Sequence, residues 1–583
     1  MAKIPVSTRR HSASHLLAAA VLQMFPEAKL GTGPATDTGF YYDFLLPRPL
    51  IPEDLPILQE KMEAFAKQQI PFEYYEEPAD KAKEFLRSIG QDFKVELVEK
   101  FEQNEGVDTV SFYKNDNVFV DLCEGPHVDH TGQVGAFKLT HFAGAYWQGD
   151  ADREQMTRIY GLCFGSEKEL RKYEQQLEEA RQRDHRKLGA ELELFTFSEI
   201  VGPGLPLFTP KGTFLRNQIA DTIQSIQEKY GFEKVSIPHI TKKDLYEVSG
   251  HWDKFKDDLF HVKGKGDTEF VMKPMNCPHH CQIYASKMWS YRDLPVRYAE
   301  VTTCYRDELP GELLGLSRVR SLTQDDGHIY CRIDQVKEEC RNVVAVVREF
   351  YTKLGMFGEG DYWVSLSVRD SQQPQKYLGD EGNWDKAEQF LLEVAEEEQL
   401  PFKRVEGEAA FYGPKLDFQF RDAIGREWQL ATVQVDFVQP ERFGLEYINE
   451  QGEKERPIMI HRAVAGSLER FLSVIIEHFA GAFPVWLAPV QAQILPVADA
   501  HANYASEVRS TLKAAGIRAE LIAADETLGK RIREGQVKKI PYLLVVGEQE
   551  AADGSVTVRK HGEKAQTAMP LEQFVEEVNT LCG

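Results

Sequence analysis

The sequence predicts a multidomain protein that combines α+β and α/β domains. Its 583 residues exceed what one hydrophobic core normally supports, so two to four domains are expected. Residues 1 to about 165 mix helical and strand-like patterns, and residues from about 190 to 485 carry strand-like runs separated by longer connections. After Pro489, short strands and helices alternate, which is typical of a small α/β domain with parallel strands.

Individual elements can be predicted along the chain. Val118, Val120 and Leu122 alternate with other residues up to the turn that begins at Cys123, which indicates a strand. A strongly charged linker helix is predicted from about Ser166, its N-cap, to Leu188, with Gly189 as its stop. The other predicted elements are strand runs at 418–420 and 432–437, then strand 493–497, helix 504–515, strand 519–522, helix 529–536 and strand 542–546.

Composition excludes several protein classes. Apolar content of 42% and charged content of 28% are ordinary for a folded domain. We find no signal peptide and no run near the roughly 18 apolar residues of a membrane span, and eight dispersed cysteines fit reduced thiols. We therefore expect a cytoplasmic protein. A net charge of −23 argues against a general nucleic-acid coat, although grouped basic residues leave room for a specific RNA partner.

Two sets of cysteine and histidine residues stand out. His11 and His15 share a helix face, and Cys123 and His127 flank a turn, a pattern that fits either a tetrahedral zinc site or histidines in a polar core. The second set lies too far apart in sequence for a local zinc finger, and spacing alone favours a core cysteine and two unrelated histidines. It consists of Cys277, His328 and His461.

Three arginines lie in separate elements of the central region. Arg306 and Arg318 lie on either side of a loop around Pro310, between two predicted strands, and Arg470 begins a predicted helix, where phosphate is favoured. Converging arginines suit a polyphosphate whose charge grows during transfer. Arginine-rich loops more often form structural ion pairs, so spacing alone does not decide between these two readings.

Five motifs occur in a fixed order along the chain, and together they favour a specific interpretation of these residues. They are Gly250-His-Trp-Asp-Lys-Phe, Met272-Lys-Pro-Met-Asn-Cys-Pro, Thr323-Gln-Asp-Asp, Ala410-Phe-Tyr-Gly-Pro-Lys and Ile460-His-Arg-Ala. In these motifs the chain resembles class II aminoacyl-tRNA synthetases and, within them, the bacterial threonyl-tRNA synthetases. The resemblance extends over almost the whole chain.

The resemblance implies an antiparallel-sheet catalytic core, an α+β editing domain and an α/β anticodon-binding domain. It places the editing domain at 1–165, the linker helix at 166–190, the catalytic domain at 191–486 and the anticodon-binding domain at 487–583. Pro238 resembles motif 1, which builds a homodimer interface. Arg306 and Glu308 resemble motif 2, Arg470 resembles motif 3, and Arg318 would also face ATP, which reacts with Mg²⁺. The implied partners are ATP, L-threonine and tRNA(Thr), without a membrane.

The resemblance assigns Cys277, His328 and His461 to one zinc ion per subunit. Three protein ligands leave zinc open to the amino and hydroxyl groups of threonine. Valine lacks the hydroxyl and cannot complete the coordination, and a site that demands a hydroxyl rejects such isosteres far better than an apolar pocket does. Asp326 is expected to accept the hydroxyl's hydrogen bond. The other implied substrate-binding residues are Met275, Gln324, Tyr412, Lys415, Gln429 and Gln434.

Serine also carries a hydroxyl, so a second check is needed. The segment around His11 resembles the editing domain that hydrolyses Ser-tRNA(Thr), where the same four cysteine and histidine residues act without metal. We favour this interpretation over a second zinc site and expect Cys123 to contact substrate rather than to act as a nucleophile. The implied editing residues are His11, His15, Tyr42, Lys94, Asp121, Cys123 and His127.

The chain departs from the family pattern at several positions. Leu322 stands where a phenylalanine usually stacks on adenine, so aromatic stacking of about 1 kcal/mol is lost and weaker ATP affinity is expected. Asp307 replaces the common asparagine, and the loop that begins at Glu308 also departs from the usual form. A ubiquitin-like domain usually precedes the editing domain, and we expect it to be absent because only ten residues precede His11. The implied anticodon contacts are Asp525, Lys539, Glu550 and Arg559, of which the first two differ from the usual asparagine and arginine.

Overall fold

The computed structural model describes residues 4–150 and 152–582 of the chain. The chain divides into two compact units, Met1–Glu178 and Glu179–Gly583. Among the described residues, no helix has the length and apolar character needed to cross a membrane.

The first unit is an α+β domain with two antiparallel sheets. Its helices are α1 (Val6–Met24), α2 (Asp54–Gln68), α3 (Ala79–Ser88), α4 (Asp92–Glu105) and the start of α5 (Glu167–Arg183). Its strands are β1 (Lys29–Leu30), β2 (Gly39–Leu45), β3 (Glu73–Pro78), β4 (Thr109–Asn115), β5 (Phe119–Leu122), β6 (Ala136–Tyr146) and β7 (Gln155–Phe164). The sheet orders are β1-β2-β7-β6 and β3-β4-β5.

Helix α1 is the buried centre of this unit. Residues 12–21 of the helix are all buried, and they pack with Phe40, Phe44 and Met62 from β2 and α2. Because residues three and four apart share a helix face, His11 and His15 point to the same side, towards the chain that follows β5. The core therefore holds both histidines against the second sheet.

The predicted linker helix is two helices, so that prediction was wrong in its extent. Helix α5 ends at Arg183, and α6 (His185–Glu191) begins directly after Asp184. The Asp184 carboxylate accepts the backbone N–H of Arg186 at 2.8 Å and has non-helical backbone angles, so it acts as an N-cap rather than as a helix interior residue. Gly189, the predicted stop, lies inside α6.

The second unit carries the remaining elements. Its helices after α6 are α7 (Pro210–Lys229), α8 (Asp244–Ser249), α9 (His251–Phe255), α10 (Cys277–Ala285), α11 (Val336–Lys353), α12 (Glu381–Glu397), α13 (Val438–Arg442), α14 (Leu468–His478), α15 (Ala502–Ala514), α16 (Leu528–Val537), α17 (Glu548–Asp553) and α18 (Leu571–Cys582). Its strands are β8 (Phe195–Thr196), β9 (Leu207–Phe208), β10 (Glu233–Lys234), β11 (Ile240–Lys242), β12 (His261–Lys263), β13 (Glu269–Met272), β14 (Trp289–Ser290), β15 (Val296–Tyr305), β16 (Ser321–Cys331), β17 (Tyr362–Val368), β18 (Phe402–Glu406), β19 (Lys415–Arg421), β20 (Glu427–Asp436), β21 (Tyr447–Ile448), β22 (Lys454–Glu455), β23 (Ile458–Ala463), β24 (Ala492–Pro496), β25 (Ala519–Leu521), β26 (Tyr542–Val546), β27 (Ser555–Lys560) and β28 (Gln566–Pro570).

An eight-stranded sheet dominates this unit, in the order β10-β15-β16-β23-β20-β19-β17-β18. Its inner pairs are antiparallel, and only the outermost pair at each edge is parallel. Apolar side chains such as Val433 and Ile460 on one face pack in a single core with residues of α7, α11, α12 and α14. Successive strand residues point to opposite faces, so the other face is left to polar groups. The predicted antiparallel-sheet core is confirmed.

The C-terminal part contains a five-stranded sheet in the order β25-β24-β26-β27-β28. The predicted strands and helices occur within two residues of their expected bounds. The first three strands are parallel, as expected, whereas β27 and β28 form an antiparallel hairpin with β26 that the sequence pattern did not predict. Strands β27 and β28 can run antiparallel because a short loop joins them, whereas the short helix α17 lies between β26 and β27.

Candidate functional site

The structure brings His11, His15, Cys123 and His127 together. One nitrogen or sulfur atom from each lies within 4.8 Å of the others. The first two come from one face of α1, and the other two lie in the chain directly after β5. The four residues that the sequence singled out therefore form one cluster.

Ser12, which sequence reasoning missed, orients His127. The Ser12 hydroxyl donates to the Thr8 carbonyl at 2.8 Å, so the contact of 3.0 Å between Ser12 Oγ and His127 Nδ1 requires His127 to be the donor. Nε2 of His127 then carries a lone pair, which faces Cys123 Sγ at 3.2 Å. No spacing rule selects Ser12, and its position directly after His11 is the only signal that the sequence offers.

A buried acid–base group lies beside the cluster. Lys94 Nζ lies 2.6 Å from one oxygen of Asp121, and the Tyr42 hydroxyl donates to the other oxygen. His15 Nε2 lies 3.9 Å from the same carboxylate. Burial and the neighbouring carboxylate raise the pKa of Tyr42 well above its usual value, so Tyr42 stays a hydrogen-bond donor.

These groups line an open cavity of about 640 Å³ that contains six of the seven predicted residues on its wall. Burial raises the pKa of the Cys123 thiol to about 12 and lowers the pKa of His127 to about 2, and burial also lowers the pKa of His11 and His15. At neutral pH the cavity therefore holds neutral imidazoles and a protonated thiol. Since the thiolate is the nucleophilic form of cysteine, these values disfavour Cys123 as a nucleophile.

Cys277, His328 and His461 form a second cluster, again with ligand atoms within 4.8 Å of one another. His328 and His461 stand directly opposite each other on the paired strands β16 and β23. Cys277 is the first residue of α10, so a helix N-terminus faces the two strands. Residues separated by 50 or more positions in sequence meet here because strand pairing fixes their register.

The donor set suits a zinc ion. One sulfur and two imidazole nitrogens are ligands that zinc prefers. Burial lowers the pKa of His328 well below its usual value, which keeps the imidazole neutral and able to donate a lone pair. Burial raises the pKa of the Cys277 thiol, so metal binding there would release a proton.

Two residues that the sequence did not single out form hydrogen bonds with the two histidines of this cluster. Asp436 Oδ2 lies 2.8 Å from His461 Nε2, and His280 Nδ1 lies 2.7 Å from His328 Nδ1. Each of these histidines thus uses one ring nitrogen for a hydrogen bond and keeps the other for the cluster, an arrangement that metal-binding histidines also have. His280 lies three residues after Cys277, at the spacing of one helix face, which was the only available signal.

Several predicted substrate residues share the sheet face of this cluster. The strand register aligns His328, His461, Gln434 and Lys415 in one row across four neighbouring strands. Asp326 lies two residues before His328, on the same face of β16, and accepts the Asn276 amide at 3.0 Å. Gln324 lies two residues further along that face.

The remaining predicted substrate residues lie around this row. The ring of Tyr412 lies 5.2 Å from that of His461. Lys415 and Gln429 both contact the buried carboxylate of Asp417, at 2.6 and 2.8 Å. Met275 lies two residues before Cys277 and lines the neighbouring cavity described next.

A cavity of about 420 Å³ is lined by Arg306, Glu308, Arg318 and Met275, the last of which lies two residues before Cys277. Arg318 and Glu308 pair with each other, with an Nε–Oε2 distance of 2.7 Å. Arg470 is exposed in the first turn of α14 and is not among the residues that line this cavity. Leu322 is 7% exposed and packs against Cys304 and Val319.

Two of the four predicted anticodon residues, Glu550 and Arg559, lie on one side of the C-terminal sheet. Arg559 shares with Thr557 the face of β27 that is opposite to the core residues Val556 and Val558. Glu550 accepts the Thr557 hydroxyl at 2.7 Å and also accepts the Gly547 N–H, so part of its role is to cap α17. Asp525 is exposed, and Lys539 has a left-handed φ of 56° between α16 and β26.

Three family models match the chain. Residues 110–160 match the threonyl and alanyl tRNA synthetase second additional domain, and residues 260–479 match the tRNA synthetase class II core domain for glycine, histidine, proline, serine and threonine. Residues 491–581 match an anticodon-binding domain.

Curated relatives agree over nearly the full length. A threonine–tRNA ligase of Gloeobacter violaceus is 48% identical, covering 97% of this chain and 91% of the relative. The chain belongs to the threonine–tRNA ligase family. Further ligases of Rubrobacter xylanophilus and Thermus thermophilus are 47% and 46% identical, covering 98% and 97% of this chain and 88% and 87% of the relatives.

Solved structures show the same fold. The RNA-binding domain of threonyl-tRNA synthetase from Cryptosporidium parvum aligns with a TM-score of 0.64 and 36% identity, covering 68% of this chain and 98% of that one. A prolyl-tRNA synthetase of Giardia lamblia aligns with a TM-score of 0.55 over 68% of this chain and 78% of that one. At 16% identity, that second likeness concerns the fold alone.

Proposed function

We propose that this chain activates L-threonine with ATP to threonyl-adenylate, transfers the threonyl group to the 3′ end of tRNA(Thr), and hydrolyses mischarged Ser-tRNA(Thr). The meeting of Cys277, His328 and His461 beside Asp326, next to an arginine-lined cavity, carries this proposal. In this proposal the cluster is the amino-acid site, and the cavity that Met275 lines together with Arg306 is the nucleotide site. The chemistry is the attack of the threonine carboxylate on the α-phosphate, with diphosphate as leaving group.

Zinc is the metal proposed at this site, one per subunit, held by Cys277 Sγ and one nitrogen each of His328 and His461. When bound, it supplies open coordination positions for the amino group and the hydroxyl of threonine. Asp326 accepts the hydroxyl's hydrogen bond, and Asn276 holds that carboxylate in place from 3.0 Å. Valine cannot bind in this way, because it has a methyl group where threonine has the hydroxyl. Met275, Gln324, Tyr412, Lys415, Gln429 and Gln434 form the rest of the pocket.

ATP with Mg²⁺ is proposed to occupy the adjoining cavity. Arg306 faces the α-phosphate, where negative charge grows during transfer, and Arg318 and Arg470 bind the outer phosphates. Glu308 accepts from the adenine amino group. Glu308 and Arg318 form an ion pair beside this cavity, which holds the carboxylate and the guanidinium close to each other.

The first cluster is proposed to be a hydrolytic editing site without metal. Serine also has a hydroxyl with which to bind the zinc, so a separate site must hydrolyse the mischarged Ser-tRNA(Thr). The neutral imidazoles of His11, His15 and His127 position a water molecule, and His11, on the cavity wall, takes its proton. Tyr42, Lys94 and Asp121 hold the terminal ribose, and Cys123 contacts the substrate as a protonated thiol.

The domain boundaries follow the same proposal: editing 1–165, linker 166–190, catalysis 191–486 and anticodon binding 487–583. The exposed segment at Pro238, which follows α7, is proposed as part of a homodimer interface. Asp525, Lys539, Glu550 and Arg559 are proposed to contact the anticodon. Asp525 cannot donate a hydrogen bond as the usual asparagine can, and Lys539 forms bidentate hydrogen bonds less well than the usual arginine. We therefore expect the chain to discriminate less strictly between anticodons.

Amino-acid-dependent exchange of diphosphate into ATP tests the proposed activation step. We expect rapid exchange with threonine, slower but measurable exchange with serine, and almost none with valine, because only valine lacks the hydroxyl. Charging of tRNA(Thr) with radioactive threonine completes the test. Equal exchange with threonine and valine would exclude the proposed zinc-based recognition, and exchange with none of the three would exclude the activity.

The Leu322→Phe variant tests the nucleotide site. An added aromatic face of about 1 kcal/mol corresponds to roughly a fivefold lower ATP KM in the exchange assay, with the threonine KM unchanged. Leu322 is already packed against Cys304 and Val319, so a thermal melt must accompany the kinetics. An unchanged ATP KM in a variant that melts like the wild type would contradict the assignment of Leu322 to the adenine face.

A further inference from the structure

A third group of metal-ligand residue types, Asp184, His185 and Glu477, lies outside both sites. His185 is buried, with 3% exposure. Its Nδ1 lies 2.7 Å from Glu477 Oε1, and its Nε2 accepts the backbone N–H of Leu316 at 3.0 Å. Nε2 therefore holds the lone pair, and Nδ1–H donates to the carboxylate. Both ring nitrogens are occupied, so His185 has no lone pair left for a metal ion.

Leu316 lies in the loop between β15 and β16 that carries Arg318 and Glu308. Its side chain is fully buried in the main core of the unit. A Cβ added at Gly315, which has a left-handed φ of 51°, would lie 2.2 Å from His185 Nε2. The loop backbone thus passes in direct contact with the imidazole, and only glycine leaves room for that approach.

Glu477 fixes the other side of His185. It lies in the last turn of α14, where its second oxygen pairs with Arg426. It also accepts the backbone N–H of His185 at 3.0 Å. Ser473 of the same helix contacts Ser317 of the loop at 2.9 Å between hydroxyl oxygens. Helix α14 and the loop are therefore joined at two points, and His185 is one of them.

We propose that His185 is a positioning residue for the nucleotide: it holds the loop that carries Arg318 and Glu308 in a fixed position relative to α14, which carries Arg470. This inference rests on the proposed ATP site. His185 touches neither substrate nor metal in this role. It acts by giving the buried Leu316 N–H its acceptor, since a buried donor without a partner is costly and the loop would move to satisfy it.

Two variants test the two side-chain hydrogen bonds of His185 separately. In His185→Asn the shorter amide reaches the position of Nδ1 and can still donate to Glu477, but nothing accepts from Leu316. In His185→Gln the longer side chain reaches the position of Nε2 and can accept from Leu316. We expect about a tenfold rise in the ATP KM for His185→Asn, with the threonine KM unchanged, and substantial recovery for His185→Gln.

Hydrogen exchange supplies a readout that does not depend on activity. The Leu316 amide should exchange faster in His185→Asn than in the wild type, and His185→Gln should restore its protection. His478→Asn is the matched control, because His478 is the next residue after Glu477 on α14 and its ring packs against Phe479. It should leave both ATP KM and loop exchange unchanged.

Three results would overturn the inference: equal rises in the ATP and threonine KM, unchanged Leu316 exchange in His185→Asn, or a His185→Gln variant that restores Leu316 protection without lowering the ATP KM. A failure of the proposed function itself would look different. The wild-type chain would then incorporate no diphosphate into ATP, while His185→Asn would still alter the hydrogen exchange of the Leu316 amide.

Discussion

Ser-tRNA(Thr) should accumulate when His11 is replaced by alanine, while charging with threonine stays at the wild-type rate. His11 Nε2 lies 3.4 Å from Cys123 Sγ on the wall of the proposed editing cavity, and the neutral ring can accept a proton from water. Loss of a general base typically slows such a step by about 10²- to 10⁴-fold. The measurement is deacylation of preformed Ser-tRNA(Thr), with serine charging of tRNA(Thr) beside it.

His141→Ala is the matched control for this prediction. His141 is an exposed histidine of the same unit that stacks on Tyr160, at 4.4 Å between ring centroids. It should leave both deacylation and charging unchanged. If His11→Ala removed Ser-tRNA(Thr) as fast as the wild type, the editing site would lie elsewhere, and the cluster around Cys123 would need another explanation.

The second large effect is expected for Cys277→Ala. The purified wild type should contain about one zinc per chain, and the variant should contain almost none, because two imidazoles alone hold zinc weakly. A Lewis acid contributes several kcal/mol, so threonine-dependent exchange of diphosphate into ATP should fall by about a hundredfold or more. Elemental analysis and the exchange assay measure the two effects separately.

Cys281→Ala controls for the loss of a buried thiol. Cys281 lies one helical turn after Cys277 on α10, is fully buried, and its sulfur contacts Met459 and the Tyr330 hydroxyl. It should keep zinc and activity. Two zinc ions per wild-type chain would show that the editing cluster also binds metal. A Cys277→Ala protein that kept one zinc would exclude this cysteine as a ligand.

The residues of both clusters were predictable from sequence, but for different reasons. His11 and His15 follow from helical spacing, and Cys123 and His127 from a turn, so local geometry selected each pair, although only the fold brings the two pairs together. Cys277, His328 and His461 were selected only by resemblance, since their meeting depends on the pairing of β16 with β23 and on the position of α10. Ser12, His280 and Asp436 were missed because each acts through a hydrogen bond whose partner only the folded chain brings near.

The break between α5 and α6 shows that a helical sequence pattern does not by itself locate the end of a helix. Charge and helical spacing predicted one helix through Leu188, whereas the Asp184 carboxylate caps a new helix there. A side chain that competes for backbone N–H groups can end one helix and begin another without altering the pattern of charges. His185, the first residue of the new helix, consequently points into the core, where it meets Leu316 and Glu477.

The sequence by itself determined the family, the antiparallel type of the catalytic sheet and most candidate reactive residues, chiefly because its motifs resemble those of one family, while short-range spacing singled out His11 and His15. Tertiary structure decided which groups meet and in what protonation state. Strand register aligned His328, His461, Gln434 and Lys415 in one row, and burial kept the imidazoles neutral and the Cys123 thiol protonated. Register and desolvation both arise from contacts between distant segments, so neither can be read from local sequence.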